Sequence, residues 1–212
     1  MPGGFDPRLQ DNIETLHHLT ALCDALSLAY AITPPPPSFP PQPRATAEPD
    51  VALVLNFTTA QRTWLLTSPA TLALLYTPAN EHFGIIPVEG MVSRLPVLAC
   101  DSGGPTESIV DPDVAADAGA ARTGWLRPPE VPAWSAAILE IVRLSDAERS
   151  ALGERARQRA LTTFSQDAMA RSIQDALEEA VNMGEMKKGG LFFRGGVLVL
   201  CMVLAIAMWQ RF

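Results

Sequence analysis

Tyr76-Thr77-Pro78-Ala79-Asn80-Glu81-His82-Phe83-Gly84-Ile85-Ile86-Pro87-Val88-Glu89 is the stretch whose reading decides the fold. The apolar run Leu72-Ala73-Leu74-Leu75-Tyr76 stops at the turn formers Pro78 and Asn80, which predicts a short strand buried on both faces. Beyond Gly84 the spacing of Ile85, Val88, Met91 and Val92 is helical, and Pro87 suits a first turn, where its missing N–H costs nothing. Glu81 to Gly84 therefore fall at the C-terminal end of a strand and face a helix N-terminus. Ligands of open parallel sheets bind there, because unpaired amides and the positive end of the helix dipole attract phosphate. Glu81 lies on the turn and Glu89 about a turn or two into the helix, so both carboxylates can reach one crevice.

A second unit repeats the pattern. Pro96-Val97-Leu98-Ala99-Cys100 reads as a strand, and Asp101-Ser102-Gly103-Gly104-Pro105-Thr106-Glu107-Ser108 reads as a glycine turn that opens a helix at Pro105. Gly103 and Gly104 would let the backbone approach a ligand closely. Either feature alone is common in proteins of many kinds. Together they carry more information.

The run Leu74 to Pro78, Asn80 to Ile85, Pro87 to Glu89 and Ser102 to Ser108 resembles the C-terminal domain of retaining GT-B glycosyltransferases, glycosyltransferase family 4. Within them the resemblance is greatest to the mannosyltransferases that build the dolichol-linked N-glycan precursor. Gly3 to Arg8, Asn12, Asn56-Phe57-Thr58 and Gln61 fit the same pattern. The resemblance implies an α/β, Rossmann-like nucleotide-sugar domain and a hexosyl transfer from GDP-mannose to a dolichyl-pyrophosphate-linked oligosaccharide. It implies that Glu81 lies beside the donor sugar and that Glu89 hydrogen-bonds the ribose. His82, Phe83, Gly84 and Ile85 would hold the sugar and diphosphate, with Gly103 and Gly104 close by. No metal and no cofactor are implied. The leaving diphosphate takes the acceptor proton, and the protein positions the reactants and stabilises the departing charge.

The resemblance covers essentially the whole chain but only the C-terminal half of a family member. The acceptor-binding N-terminal domain, the basic loop that neutralises the diphosphate and the first two strands of the nucleotide domain are outside it. The strand expected at Val51 to Leu55 would then lack its neighbour. Residues 1–183 are expected to form this incomplete domain, with an insertion over 33–50, and the chain, as a truncated form of the transferase, is expected to be inactive alone.

The remaining sequence bounds the function. A net charge of −7 argues against a nucleic-acid partner. Cys23, Cys100 and Cys201 are scattered, which indicates neither a disulfide framework nor a zinc site. A dinucleotide-binding oxidoreductase is disfavoured, since no Gly-x-Gly-x-x-Gly follows a strand.

Asp6 and Pro7 read as the N-cap and first residue of an amphipathic helix running to about Ser27, with Leu9, Ile13, Leu16, Leu19, Cys23 and Leu26 on its apolar face. Thr33 to Pro43 holds seven prolines and is expected to be an extended loop. Thr59 to Ser68 reads as a short helix, and Asn56-Phe57-Thr58 is a formal glycosylation sequon. Asp111 to Arg122 looks like an exposed insertion, and Thr123 to Leu126 like a short final strand. Ser145-Asp146-Ala147-Glu148 is a capping box that opens a helix to about Thr162, and Ser165 opens another to about Asn182. Arg155, Arg157 and Arg159 read as a solvated helix face.

The C-terminus differs in kind. After a glycine-containing linker at 184–190, residues 191–209 are apolar apart from Arg194 and end at Trp209. This predicts a transmembrane helix, whose uncharged part, Gly195 to Trp209, is short against the ~20 residues a bilayer core wants. Lys187 and Lys188 precede it, Arg194 lies near its start and only Arg211 follows, which orients the body of the protein to the cytosol. The location expected is the endoplasmic reticulum membrane, beside other transferases of lipid-linked oligosaccharide. The alternative from another class is a non-catalytic, membrane-anchored GT-B half that binds nucleotide-sugar weakly or associates with a complete transferase.

Overall fold

The computed structural model describes residues 4–34, 48–114 and 121–183. The chain gathers into two compact units, Met1–Leu74 and Leu75–Phe212. The expected transmembrane helix at 191–209 and its linker lie outside the described residues, and among those described no helix is long and apolar enough to cross a membrane.

The first unit holds α1 (Gln10–Ala25), β1 (Tyr30–Thr33), β2 (Val51–Val54) and α2 (Thr59–Thr67). Helix α1 starts later than Asp6 suggests. The Asp6 carboxylate accepts the Arg8 backbone N–H and its carbonyl accepts the N–H of Leu9, so Asp6 to Leu9 form a turn ahead of the helix. Leu16, Thr20 and Cys23 make its buried stripe, while Leu9, Leu19 and Leu26 are exposed, a narrower face than expected. Strand β2 does have a neighbour. It pairs in parallel with β1, Tyr30 opposite Val51 and Thr33 opposite Val54, and so corrects the expectation of an unpartnered Val51 strand. Asn56, in the left-handed region at φ 52°, clasps the backbone of Phe5 from both sides, accepting its N–H at 2.7 Å and donating to its carbonyl at 2.8 Å. Helix α2 begins with a full capping box between Thr58 and Gln61.

The second unit holds β3 (Leu74–Tyr76), α3 (Ile85–Val92), β4 (Val97–Cys100), α4 (Pro105–Ser108), β5 (Trp125–Arg127), α5 (Val131–Arg143), α6 (Asp146–Phe164) and α7 (Gln166–Asn182). The strands lie in the order β3-β4-β5, with β4 parallel to β5 and Leu98 opposite Trp125. Val97 to Cys100 are wholly buried, as a central strand covered on both faces requires. Strand β3 is different: Tyr76 is buried but Leu75 is 46% exposed, so it is covered on one face only, which suits its place at the sheet edge.

Two readings of the charged residues are overturned. Asp111 does not start an exposed insertion. Its carboxylate is 1% exposed and pairs with Arg122 and Arg127, and it also accepts the backbone N–H of Leu126 on β5 at 2.8 Å. Asp113 takes the outer nitrogens of the same two arginines, and their guanidinium groups hold its carboxyl below the usual carboxylate range. Nor are Arg157 and Arg159 part of a solvated face, although Arg155 is exposed as expected. Arg157 donates to the carbonyl of Val92 at the end of α3, Arg159 to the carbonyls of Glu107 and Ser108 at the end of α4, and Arg155 to that of Arg122. A cation at a helix C-terminus meets both the orphan carbonyls and the negative end of the dipole. Helix α6 thereby straps α3 and α4 in place. It comes close enough that a side chain at Gly153 would lie 2.5 Å from the carbonyl oxygen of Arg94.

Candidate functional site

The turn between β3 and α3 is built by backbone contacts with the glycine turn between β4 and α4. Asn80, at φ 57°, donates its N–H to the Ser102 hydroxyl at 3.1 Å, and the Glu81 carbonyl accepts the N–H of Gly104 at 2.7 Å. The requirement for two glycines follows. Gly103 has φ 65°, and a Cβ there would stand 2.2 Å from the Glu81 carbonyl oxygen; at Gly104 it would stand 2.2 Å from that of Phe83. The close approach anticipated between Gly103-Gly104 and a ligand is, in the described structure, an approach to the Glu81–Phe83 backbone. The pair props the turn from beneath.

Gly84 then turns the chain at φ 72° and is the N-cap of α3, with no side chain capping the helix. Ile85 and Ile86 bring their N–H groups to this open end, and Pro87 brings none. Glu81, His82 and Phe83 are exposed, Ile85 is 62% exposed, and Glu89 is half-buried on α3. Phe83 meets the ring of Phe164 edge-on, with centroids 5.5 Å apart. The structure thus gathers Glu81, Phe83, Gly84, Gly103 and Gly104 into one loop pair and carries Glu89 on the helix that follows. What the arrangement offers chemically is an exposed carboxylate beside the uncapped, electropositive start of a helix.

Tyr76, at the last position of β3, was not singled out by the sequence. It is 7% exposed, and a Cβ built on Gly84 would lie 3.2 Å from its ring and 3.5 Å from Glu81 Cγ, so its phenol stands beside that side chain. Burial pushes its phenol up, and the nearby charge of Glu81 pushes it further. A second omission is a cavity of about 330 Å³ at the C-terminal ends of β3 and β4, lined by Thr77, Cys100, Pro129, Glu130, Val131 and Trp134. The Cys100 thiol donates to the Thr77 carbonyl at 3.3 Å, and burial pushes the thiol up, with the charge of Asp101 adding to it. The signal for this wall was present in Pro132 followed by Trp134, Ala137 and Ile141, the start and inner face of α5. Among the described residues no cluster of three or more His, Cys, Asp or Glu is placed to hold a metal ion.

The α/β fold of the second unit agrees with comparison to known proteins. The family described as Glycosyl transferases group 1 matches residues 54–159, half of the chain. The chain belongs to that family, and its α/β architecture is that of a GT-B-like glycosyltransferase domain. It is similar to the α-1,3/1,6-mannosyltransferase of Schizosaccharomyces pombe, 31% identical over 215 residues that cover 98% of this chain and 38% of that protein. It is likewise similar to the α-1,3/1,6-mannosyltransferase of Candida albicans, 34% identical over 82% of this chain and 38% of the relative. The chain therefore spans well under half the length of these relatives. Among solved structures, sucrose-phosphate synthase from Thermosynechococcus elongatus superposes on 86% of this chain and 38% of its own with a TM-score of 0.57 at 19% identity, a likeness of fold.

Proposed function

We propose that this chain carries the donor site of a retaining, GDP-mannose-dependent α-1,3/α-1,6-mannosyltransferase that extends a dolichyl-pyrophosphate-linked oligosaccharide, the precursor of N-glycans. One observation carries the reading: the Glu81 carboxylate and the uncapped start of α3 stand together at a strand end, propped by Gly103 and Gly104. The similarity to two α-1,3/1,6-mannosyltransferases supports the choice of sugar and acceptor.

In this reading Glu81 lies beside the mannosyl group and Glu89 hydrogen-bonds the ribose of GDP. The amides of Phe83, Gly84 and Ile85 receive the sugar and diphosphate, with His82 at the rim. The helix start stabilises charge on the departing diphosphate, which takes the acceptor proton, and the transfer proceeds without a metal. Residues 191–209 anchor the protein in the endoplasmic reticulum membrane, with its body on the cytosolic side, where the other lipid-linked-oligosaccharide transferases are its natural neighbours.

The test is mannosyl transfer from GDP-mannose to a chitobiose-pyrophosphate lipid bearing one mannose, by the protein expressed from its own gene. Glu81→Ala and Glu89→Ala should each lower transfer by about a hundredfold at unchanged expression, the scale of losing a group that stabilises developing charge. Wild-type rates in both variants would remove the site assignment.

A further inference from the structure

We propose that the cavity at the C-terminal ends of β3 and β4 is the acceptor-sugar subsite, where the terminal hexose of the acceptor packs on Trp134. The inference deepens the functional reading given above and rests on it. Ligands of open α/β sheets bind outside the carboxyl ends of the strands, and this cavity lies there beside the donor turn. Thr77 is four residues ahead of Glu81, and Cys100 is three ahead of Gly103, so the same two strand ends carry both places. Four residues of chain reach at most about 14 Å. Transfer brings the acceptor hydroxyl to about 3–3.5 Å from the reacting carbon of the donor. A mannosyl group beside Glu81 and an acceptor ring in the cavity fit within that span.

The walls select the class of ligand. A volume of about 330 Å³ is at the small end of ligand sites and suits one ring. Trp134, Pro129 and Val131 give it apolar surface, and the buried Cys100 has its thiol committed to the Thr77 carbonyl. The discriminating group is the Trp134 indole. Its Nε1 is buried and, among the described residues, has no hydrogen-bond partner. The indole of Trp125, by contrast, donates to the Glu140 carboxylate at 2.8 Å. Buried indole N–H groups ordinarily find an acceptor, and one left without bears the full cost of its desolvation. A hydrocarbon chain laid against Trp134 would leave that N–H unpaired. A sugar offers it an oxygen while an apolar ring face rests on the wall, and the exposed Glu130 carboxylate accepts a second hydroxyl.

The test follows the indole N–H by nuclear magnetic resonance on the whole chain, whose four tryptophans give few signals; Trp134→Phe identifies the one in question. The probes are the lipid-free trisaccharide of chitobiose bearing one mannose, chitobiose alone, geranyl phosphate and GDP-mannose. The trisaccharide should move the Trp134 signal saturably, and chitobiose and geranyl phosphate should leave it in place. Glu130→Gln, a change at an exposed position that spares the fold, should weaken the trisaccharide about tenfold, the scale of one hydrogen bond to a charged group. A Trp134 signal unmoved by the trisaccharide in a chain that binds GDP-mannose means a cavity filled by water only; it overturns the subsite and spares the donor reading. A signal moved by geranyl phosphate and not by the trisaccharide, or trisaccharide binding indifferent to Glu130→Gln, overturns it as well. A chain that binds no GDP-mannose overturns the functional reading, and the subsite with it.

Discussion

Gly104 shows how a single position without a side chain can set the geometry of a site. Its N–H donates to the Glu81 carbonyl, and a Cβ there would stand 2.3 Å from Phe83 Cα, inside the turn it supports. The contact is backbone to backbone, so no rotamer change relieves it. Gly104→Ala is expected to cost about 2–3 kcal/mol of stability, the upper range for forced overpacking, and to weaken donor binding as the turn shifts. Thermal unfolding beside a donor titration checks both. Asp111 teaches the opposite lesson. A carboxylate in an alanine- and aspartate-rich stretch reads as solvated, yet here it is the centre of a buried cluster, because Arg122 and Arg127 and the Leu126 N–H all converge on it. No local spacing announces such a cluster; it exists only once β5 lies beside the loop.

Among the elements, the legible ones carry their own boundary signals. Helix α6 starts where Ser145 and Glu148 exchange hydrogen bonds with each other's backbone, and α7 starts where the Ser165 hydroxyl accepts the Ala168 N–H. The Glu81 turn was legible for the same reason, since Pro78, Asn80, Gly84 and Pro87 each restrict the backbone in a known way. Strand β1 was missed. Tyr30 to Thr33 is four residues long, only Ser27 at φ 55° turns the chain between it and α1, and the following prolines dominate the reading. Its pairing with β2 is a tertiary fact. Arg157 and Arg159 of α6 were misread because an amphipathic wheel shows only which face a residue occupies, and not that the carbonyls ending α3 and α4 lie opposite. Arg159→Ala removes two charge-assisted bonds to those carbonyls, and the expected loss is about 2 kcal/mol. Arg155→Ala, with one exposed bond of 3.2 Å, should cost well under half of that by the same unfolding measurement.

At the scale of the molecule, every residue proposed for the donor site falls within the second compact unit, Leu75–Phe212. Glu81 and Glu89 flank the start of α3, and the glycine turn that props them belongs to the same three-stranded sheet. That containment makes the central claim testable on these 212 residues directly, by equilibrium binding of GDP-mannose to the chain and to its Glu89→Gln variant. The account expects saturable binding that free GDP competes away, weakened about ten- to a hundredfold by the substitution, the equivalent of one charge-assisted hydrogen bond to the ribose. Binding that is absent, or that is untouched by Glu89→Gln, would contradict it.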